Sequence, residues 1–284
     1  MPIQAIDIRL SLKKNSQAKV IEKEIKLMSM LDCFFSDAIL EKLSGNFDDD
    51  IQMLKSEYAA CANTVFAEFY ETLIFRVYRA KFLIAPKMPN FRYKEYVDSQ
   101  SQYFETCNEL VEKLFDQQKA EQFYADALKY VAMKDYASAG ASFYASAIEG
   151  NVNAQYNYGV SVYNGEVGEP DYLESAFWYL MASLGGNAKA MSNLGIQYRN
   201  GVGVKQNLNR MMYWYAKGAQ MFMPSIVHDV GLVLANEEVE AFAGNASIGR
   251  AFLQAAYRLD EPDVREFVTD NTEQIIEALG DPEI

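Results

Sequence analysis

At 284 residues, half of them hydrophobic and 13% aromatic, the chain carries enough apolar material for one or two packed domains, which excludes intrinsic disorder. Its formal charge of −13 is uneven: residues 1–120 hold 16 Lys/Arg against 18 Asp/Glu, and residues 121–284 hold 10 against 21. An acidic second half repels nucleic acid and anionic membrane and attracts basic proteins.

The absence of proline between Pro2 and Pro86 favours helices throughout. Ile6, Ile8, Leu10 and Leu12 alternate with Asp7, Arg9 and Ser11, a strand period with no second strand to pair with. That segment reads as a short edge, a strand added to a partner, or an extended arm. Asn15-Ser16 is placed to cap a helix reaching Leu43, and Gly45-Asn46 breaks it. Asp48, Asp49 and Asp50 then open a second helix. Carboxylates there suit the positive end of the helix dipole better than a metal. Its apolar stripe, Ile51, Leu54, Tyr58, Val65, Phe69, Leu73 and Val77, runs on to Ile84, as one very long helix or two joined by a kink. Pro86 and Pro89 end it, and a third helix is expected from Tyr93 to Gln118.

Between Thr72 and Lys94 lie Arg76, Arg79, Lys81, Lys87, Arg92 and Lys94 without an acid, interleaved with Phe75, Tyr78, Phe82, Phe91 and Tyr93. The bland reading is a helix C-terminus with favoured cations and packed aromatic rings. The others are a dock for an acidic partner, a dock for the acidic half of the same chain, and RNA binding by phosphate contact and stacking.

From Glu121 onward a 36-residue period appears. Tyr158-Gly159, Leu194-Gly195 and Val230-Gly231 are 36 apart, as are Gly165 and Gly201, Trp178 and Trp214, and Asp135 and Asp171. Such a period marks stacked helical hairpins, each burying its apolar face only against its neighbours. Mid-helix glycines let helices approach closely, Gly165 and Gly201 suit the left-handed position past a helix end, and Trp178 and Trp214 fill the space between hairpins. Upstream, Phe123 stands where the period calls for glycine. Downstream, Glu237 does so, and one extra residue is needed to align Phe252, Leu253 and Ala256. A polar closing helix is expected over Pro262 to Leu279.

The run resembles the Sel-1-like repeat, a relative of the tetratricopeptide repeat, over residues ~121–260. The resemblance rests on Ala154, Gly159, Gly165, Asp171, Ala176, Trp178, Tyr179 and Ala182, and again on Ala190, Leu194, Gly195, Tyr198, Gly201, Gly203, Val204, Trp214, Tyr215 and Ala219. It says nothing of residues 1–120. The expected fold is all-α: a helical N-terminal domain (1–120), then a short α-solenoid of Sel-1-like hairpins with a closing helix (121–284).

Chemistry has little to work with. His228 is the only histidine, so no multi-histidine metal site exists, and Cys33, Cys61 and Cys107 fit neither a zinc pattern nor a disulfide framework. No phosphate loop or HExxH helix is present. No catalytic, cofactor-binding or metal-binding residue is assigned. The first residues lack a basic start followed by an apolar core, and the stretch around Val65 to Ile84 holds too many charges to cross a bilayer. With thiols left free, this points to the cytoplasm. Candidate partner contacts follow from the face opposite the inward residues: Asn157, Ser161 and Asn164, the same offsets at Asn193, Gln197 and Asn200, and Asp229 as an acidic contact. The resemblance implies a protein-binding role: a cytoplasmic immunity or inhibitor protein clasping a basic toxin or enzyme, an adaptor or regulatory scaffold, or a secreted bacterial effector.

Overall fold

The structure is a computed structural model and describes residues 39–61, 66–98 and 102–280. The alternating segment at Ile6–Leu12, Cys33 and nearly all of the helix expected from Asn15 lie outside these residues. Within them every regular element is helical and no strand occurs. Two compact units are present, one within residues 13–151 and one within 152–283.

In the first unit, α1 (Phe47–Cys61) starts on the Asn46 side chain, whose Oδ1 accepts from the backbone N–H groups of Asp48 and Asp49 at 3.0 and 3.3 Å. The three aspartates then diverge. Asp48 pairs with Lys81 at 2.6 Å. Asp50 is buried, and its carboxylate accepts from Ser44 N, Ser44 Oγ and Gly45 N at 2.6, 2.8 and 3.1 Å, tying the preceding turn to the helix. Helix α2 (Phe66–Arg79) does not stop where its α pitch ends. It widens into a π-helical turn, Ala80–Ile84, that buries Ala80, Phe82, Leu83 and Ile84 together.

The single helix expected from Tyr93 to Gln118 is instead two, α3 (Tyr93–Val97) and α4 (Gln102–Glu112). Asp98 turns out of helical conformation at ψ 117°, and Asp116 already caps the next helix. Helices α5 (Gln117–Ala132) and α6 (Tyr136–Ala147) form a hairpin joined by a hydrogen bond from Ser146 Oγ to Ala120 O, 2.7 Å. That hairpin docks on the π turn, with Tyr144 edge-on to Phe82 and Glu149 paired with Lys87 at 2.5 Å.

The second unit contains three hairpins: α7 (Val152–Asn164) with α8 (Tyr172–Leu184), α9 (Ala188–Asn200) with α10 (Leu208–Ala219), and α11 (Pro224–Ala235) with α12 (Ala246–Ala255). The period shows in the caps. Asp135, Asp171 and Asn207, 36 apart, each accept from the backbone N–H three residues on, and Asn187 does the same for α9. Helix α8 packs on both α7 and α9, and α10 on both α9 and α11. Trp178 and Trp214 are buried in these layers, Trp178 edge-on to Tyr158 at 5.3 Å.

Gly195 faces the Tyr215 ring so closely that a Cβ there would lie 2.5 Å from the nearest ring carbon. In the third hairpin the approach is backbone to backbone: a Cβ on Gly249 would meet Ala235 N at 2.3 Å. Gly201 ends α9 in the left-handed region at φ 66°, and Glu237, one period later, adopts the same region at φ 53° without the freedom of glycine. Finally α13 (Pro262–Leu279) covers α10 with Val264, Phe267, Val268 and Ile275, its Phe267 ring 5.1 Å from Phe252 of α12.

Candidate partner-binding cleft

Because α8 sits between α7 and α9 on one side, those two helices scarcely touch each other. On the other side they leave a cleft of about 310 Å³. Helix α7 lines it with Tyr156, Val160, Tyr163 and Asn164, and α9 with Asn193, Ile196, Gln197 and Asn200. Each set follows the three- and four-residue spacing of one helical flank. Tyr179 of α8 forms the floor and Val202 closes the end.

The floor is polar but neutral. Burial pushes the Tyr179 phenol up to about 12 and raises that of Tyr156, so both stay protonated, and the Asn193 side chain hydrogen-bonds to both hydroxyls. Their rings lie 6.1 Å apart. Gln197 is 2% exposed, and its Nε2 donates to Tyr172 O at 2.9 Å. Its Oε1 has no donor among the described residues.

Of the residues expected from sequence to meet a partner, the structure brings Asn164, Asn193, Gln197 and Asn200 together here. Asn157 is half-buried and does not line the cleft, Ser161 is buried at 3%, and Asp229 lies on α11. The geometry explains the split. Two helices flanking one cleft present different flanks to it, so most offsets that face it on one helix turn away on the other; only Val160 with Ile196 and Asn164 with Asn200 line it at the same offset. Helix α9 offers the residue positions of Asn157, Ser161 and Asn164, whereas α7 offers a face one residue round, led by Tyr156 and Tyr163. The tyrosines were missed because an aromatic at helical spacing reads as core.

One repeat onward the groove between α9 and α11 has a different chemistry. Arg199 stands at the register of Tyr163, Asp229 at that of Asn193 and Glu238 at that of Val202. The Arg199 guanidinium donates to both Glu238 oxygens at 2.6 and 2.7 Å, an ion pair that bridges the groove. Burial raises the Asp229 carboxyl against the pull of His228 and Arg199.

The basic run is largely neutralised inside its own unit. Lys81 pairs with Asp48, Lys87 with Glu149, Arg79 with Glu112 at 3.7 Å and Arg92 with Glu95 at 2.6 Å. Phe75, Tyr78 and Phe82 are buried, out of reach of stacking bases. Among the described residues no group of three or more His, Cys, Asp or Glu is placed to hold a metal ion, and no helix is long and apolar enough to cross a membrane.

Residues 152–187 and 188–221 each match the Sel1 repeat. Residues 152–221 are two Sel1 repeats. The whole cleft lies within them, between the first helices of the two repeats, and repeats of this kind mediate protein–protein contacts. Among solved structures, a Sel1 repeat protein from Oxalobacter formigenes is 17% identical at a TM-score of 0.39, over 55% of this chain and 84% of that one. The protein c5321, a protective antigen present in uropathogenic Escherichia coli strains displaying an SLR fold, is 19% identical at a TM-score of 0.43. That similarity covers 79% of this chain and 48% of that one, so this chain spans about half the length of c5321. No match was found among curated proteins.

Proposed function

We propose that this chain is a non-catalytic protein-binding protein that holds a segment of its partner in the cleft between α7 and α9. The observation that carries the reading is the cleft itself: an open, preformed space between the first helices of two Sel1 repeats, rimmed by the Asn164, Asn193 and Asn200 amides. In its specific form we read the protein as an inhibitor that neutralises a cognate toxin or enzyme in the cytoplasm. The acidity of residues 121–284 supports attraction to a basic target, and three cysteines at spacings that fit no disulfide framework suit a reducing setting. An adaptor role is the second reading, favoured by the neutrality of the cleft lining, which lends itself to partners of varied charge.

Asn200 is exposed at the cleft rim, so Asn200→Trp should block the cleft without disturbing the core. Tagged parent and variant are used to capture partners from native cells, with amounts measured by mass spectrometry. One near-equimolar partner held by the parent and lost by the variant is expected, and its activity should be suppressed on rebinding. Several weaker partners, each lost from the variant, would indicate the adaptor. An identical set on both proteins would refute binding at the cleft.

A further inference from the structure

We infer that the cleft is a slot for one aromatic side chain of the partner, gripped between the tyrosine rings of α7 and α8 and the Ile196 wall of α9. This rests on the reading of the cleft as the partner-binding site.

The polar groups within the cleft are committed to the protein itself. Asn193 hydrogen-bonds to the Tyr156 and Tyr179 hydroxyls. Gln197 Nε2 donates to the Tyr172 carbonyl, and its Oε1 is buried out of a partner's reach. At the rim Asn164 Nδ2 donates to the Glu166 carboxylate at 3.3 Å, and Asn200 is exposed to water. What these bonds leave open to an incoming chain is mainly ring and aliphatic surface: Tyr156, Tyr163 and Tyr179 with Val160 and Ile196. Ile196 is 42% exposed, an apolar surface whose removal from water would favour binding.

Size and rigidity narrow the occupant. An apolar cavity of about 150 Å³ already holds benzene, so a space of about 310 Å³ admits an indole or phenyl ring with its stem but no folded element. The rings that would grip it are set in advance. Tyr156 and Tyr179, 6.1 Å apart, share Asn193, and Tyr163 is braced edge-on by Tyr172 at 5.0 Å. Rings already held in place cost little to order on binding. An entering aromatic ring gains edge or offset contacts with them beyond the area it buries.

Charge excludes the competitors. None of the described residues that line the cleft is charged, and burial keeps the Tyr156 and Tyr179 phenols protonated. An entering Asp or Glu would lose hydration and meet no counter-charge. A guanidinium could lie on a tyrosine face, yet its five donors would find the amides engaged, and Glu166 stands at the rim, outside the lining. The net charge of −13 thus steers a partner's approach, while the cleft itself reads an uncharged ring.

The test selects short N-acetylated, C-amidated peptides from a randomised pool on the whole protein, then measures the selected sequences by calorimetry. Selected peptides should share one Trp or Phe and bind with a negative heat-capacity change. Their affinity should change less than about twofold between about 0.1 M and about 1 M NaCl, where the Debye length falls from about 10 Å to about 3 Å. Replacing the shared residue by Ala should weaken a peptide about tenfold or more. In the protein, Tyr163→Ala should weaken binding about tenfold and Tyr163→Phe by less than about twofold, because the ring and not its hydroxyl makes the contact. Ile196→Glu places a carboxylate on the exposed wall and should abolish binding while its urea midpoint stays near the parent's.

Enrichment of aliphatic peptides, or of Lys- or Arg-rich peptides with steep salt dependence, would overturn the inference, and their loss in Asn200→Trp would leave protein binding at the cleft standing. Unchanged affinity in Tyr163→Ala or in Ile196→Glu would also overturn it. If no peptide is selected, the inference fails, and if partner capture is also indifferent to Asn200→Trp, the functional reading fails with it.

Discussion

Replacing Gly195 by alanine sets two opposed effects against each other, and the structure decides between them. In a helix interior alanine is favoured over glycine by about 1 kcal/mol, so at an exposed site the change would stabilise. Here the new methyl would lie 2.5 and 2.7 Å from two carbons of the Tyr215 ring, where carbon–carbon contacts prefer about 3.5–4.0 Å. The ring would have to move by about 1 Å. It is 1% exposed, and its hydroxyl end sits among Arg199, Asp229 and Glu238, so it has little room to yield. Overpacking of this kind costs about 1–3 kcal/mol, and after the propensity gain of about 1 kcal/mol a net loss of up to about 2 kcal/mol remains. Urea unfolding with an unchanged slope and a melting temperature lowered by roughly 5 °C would register it. Gly159→Ala is the internal comparison. The Tyr179 ring stands 2.9–3.0 Å from its Cβ position, and the loss should be smaller. A stabilised Gly195→Ala would refute close approach as the reason for glycine at this register.

Trp214, 4% exposed between α10 and its neighbours, should cost about 3–5 kcal/mol when cut to alanine, and a near-neutral urea midpoint would contradict its placement. Lys87→Met strands the Glu149 carboxylate, which is 11% exposed in its side chain, and should cost about 3 kcal/mol or more. Adding Glu149→Gln should recover most of that loss in a double-mutant cycle, and failure to recover would mean that the pair is not what holds the hairpin to the π turn. Burial raises the Asp229 carboxyl, so the folded state binds that proton more tightly than the unfolded chain. The stability it contributes is present below the unfolded value of about 4 and declines as pH rises through the folded one. Asp229→Asn, which installs the amide found at Asn193, should raise the urea midpoint near pH 7 and change it little near pH 3. A lower midpoint near pH 7 would show that attraction to His228 and Arg199 outweighs burial.

Where sequence and structure agree, the controlling interactions are short in range. The left-handed Gly201 and the bounds of α13 are set by residues within a turn of each other, and a periodic pattern exposes them. Asp135 and Asp171 were legible only as members of the period; that they cap helices, with Asn207 as the third of the series, is a finding of the structure. Glu237 was legible as a departure from glycine, and the structure shows the backbone keeping its left-handed turn regardless.

The sequence by itself determined the helical character, the 36-residue repeat and four of the residues that line the cleft. Tertiary structure decided the rest, because it depends on how helices separated by tens of residues cross. Only the placement of α7 and α9 on α8 settles which flank of each helix meets the cleft, turning Tyr156 and Tyr163 toward it and Asn157 and Ser161 away. Burial of Asp50 by a turn that precedes its helix, the join of Lys87 to Glu149 across 62 residues, and the unanswered oxygen of Gln197 are likewise products of packing. Local propensity sees a residue's neighbours in the chain. Solvation, pairing and orphaned polar atoms are set by its neighbours in space.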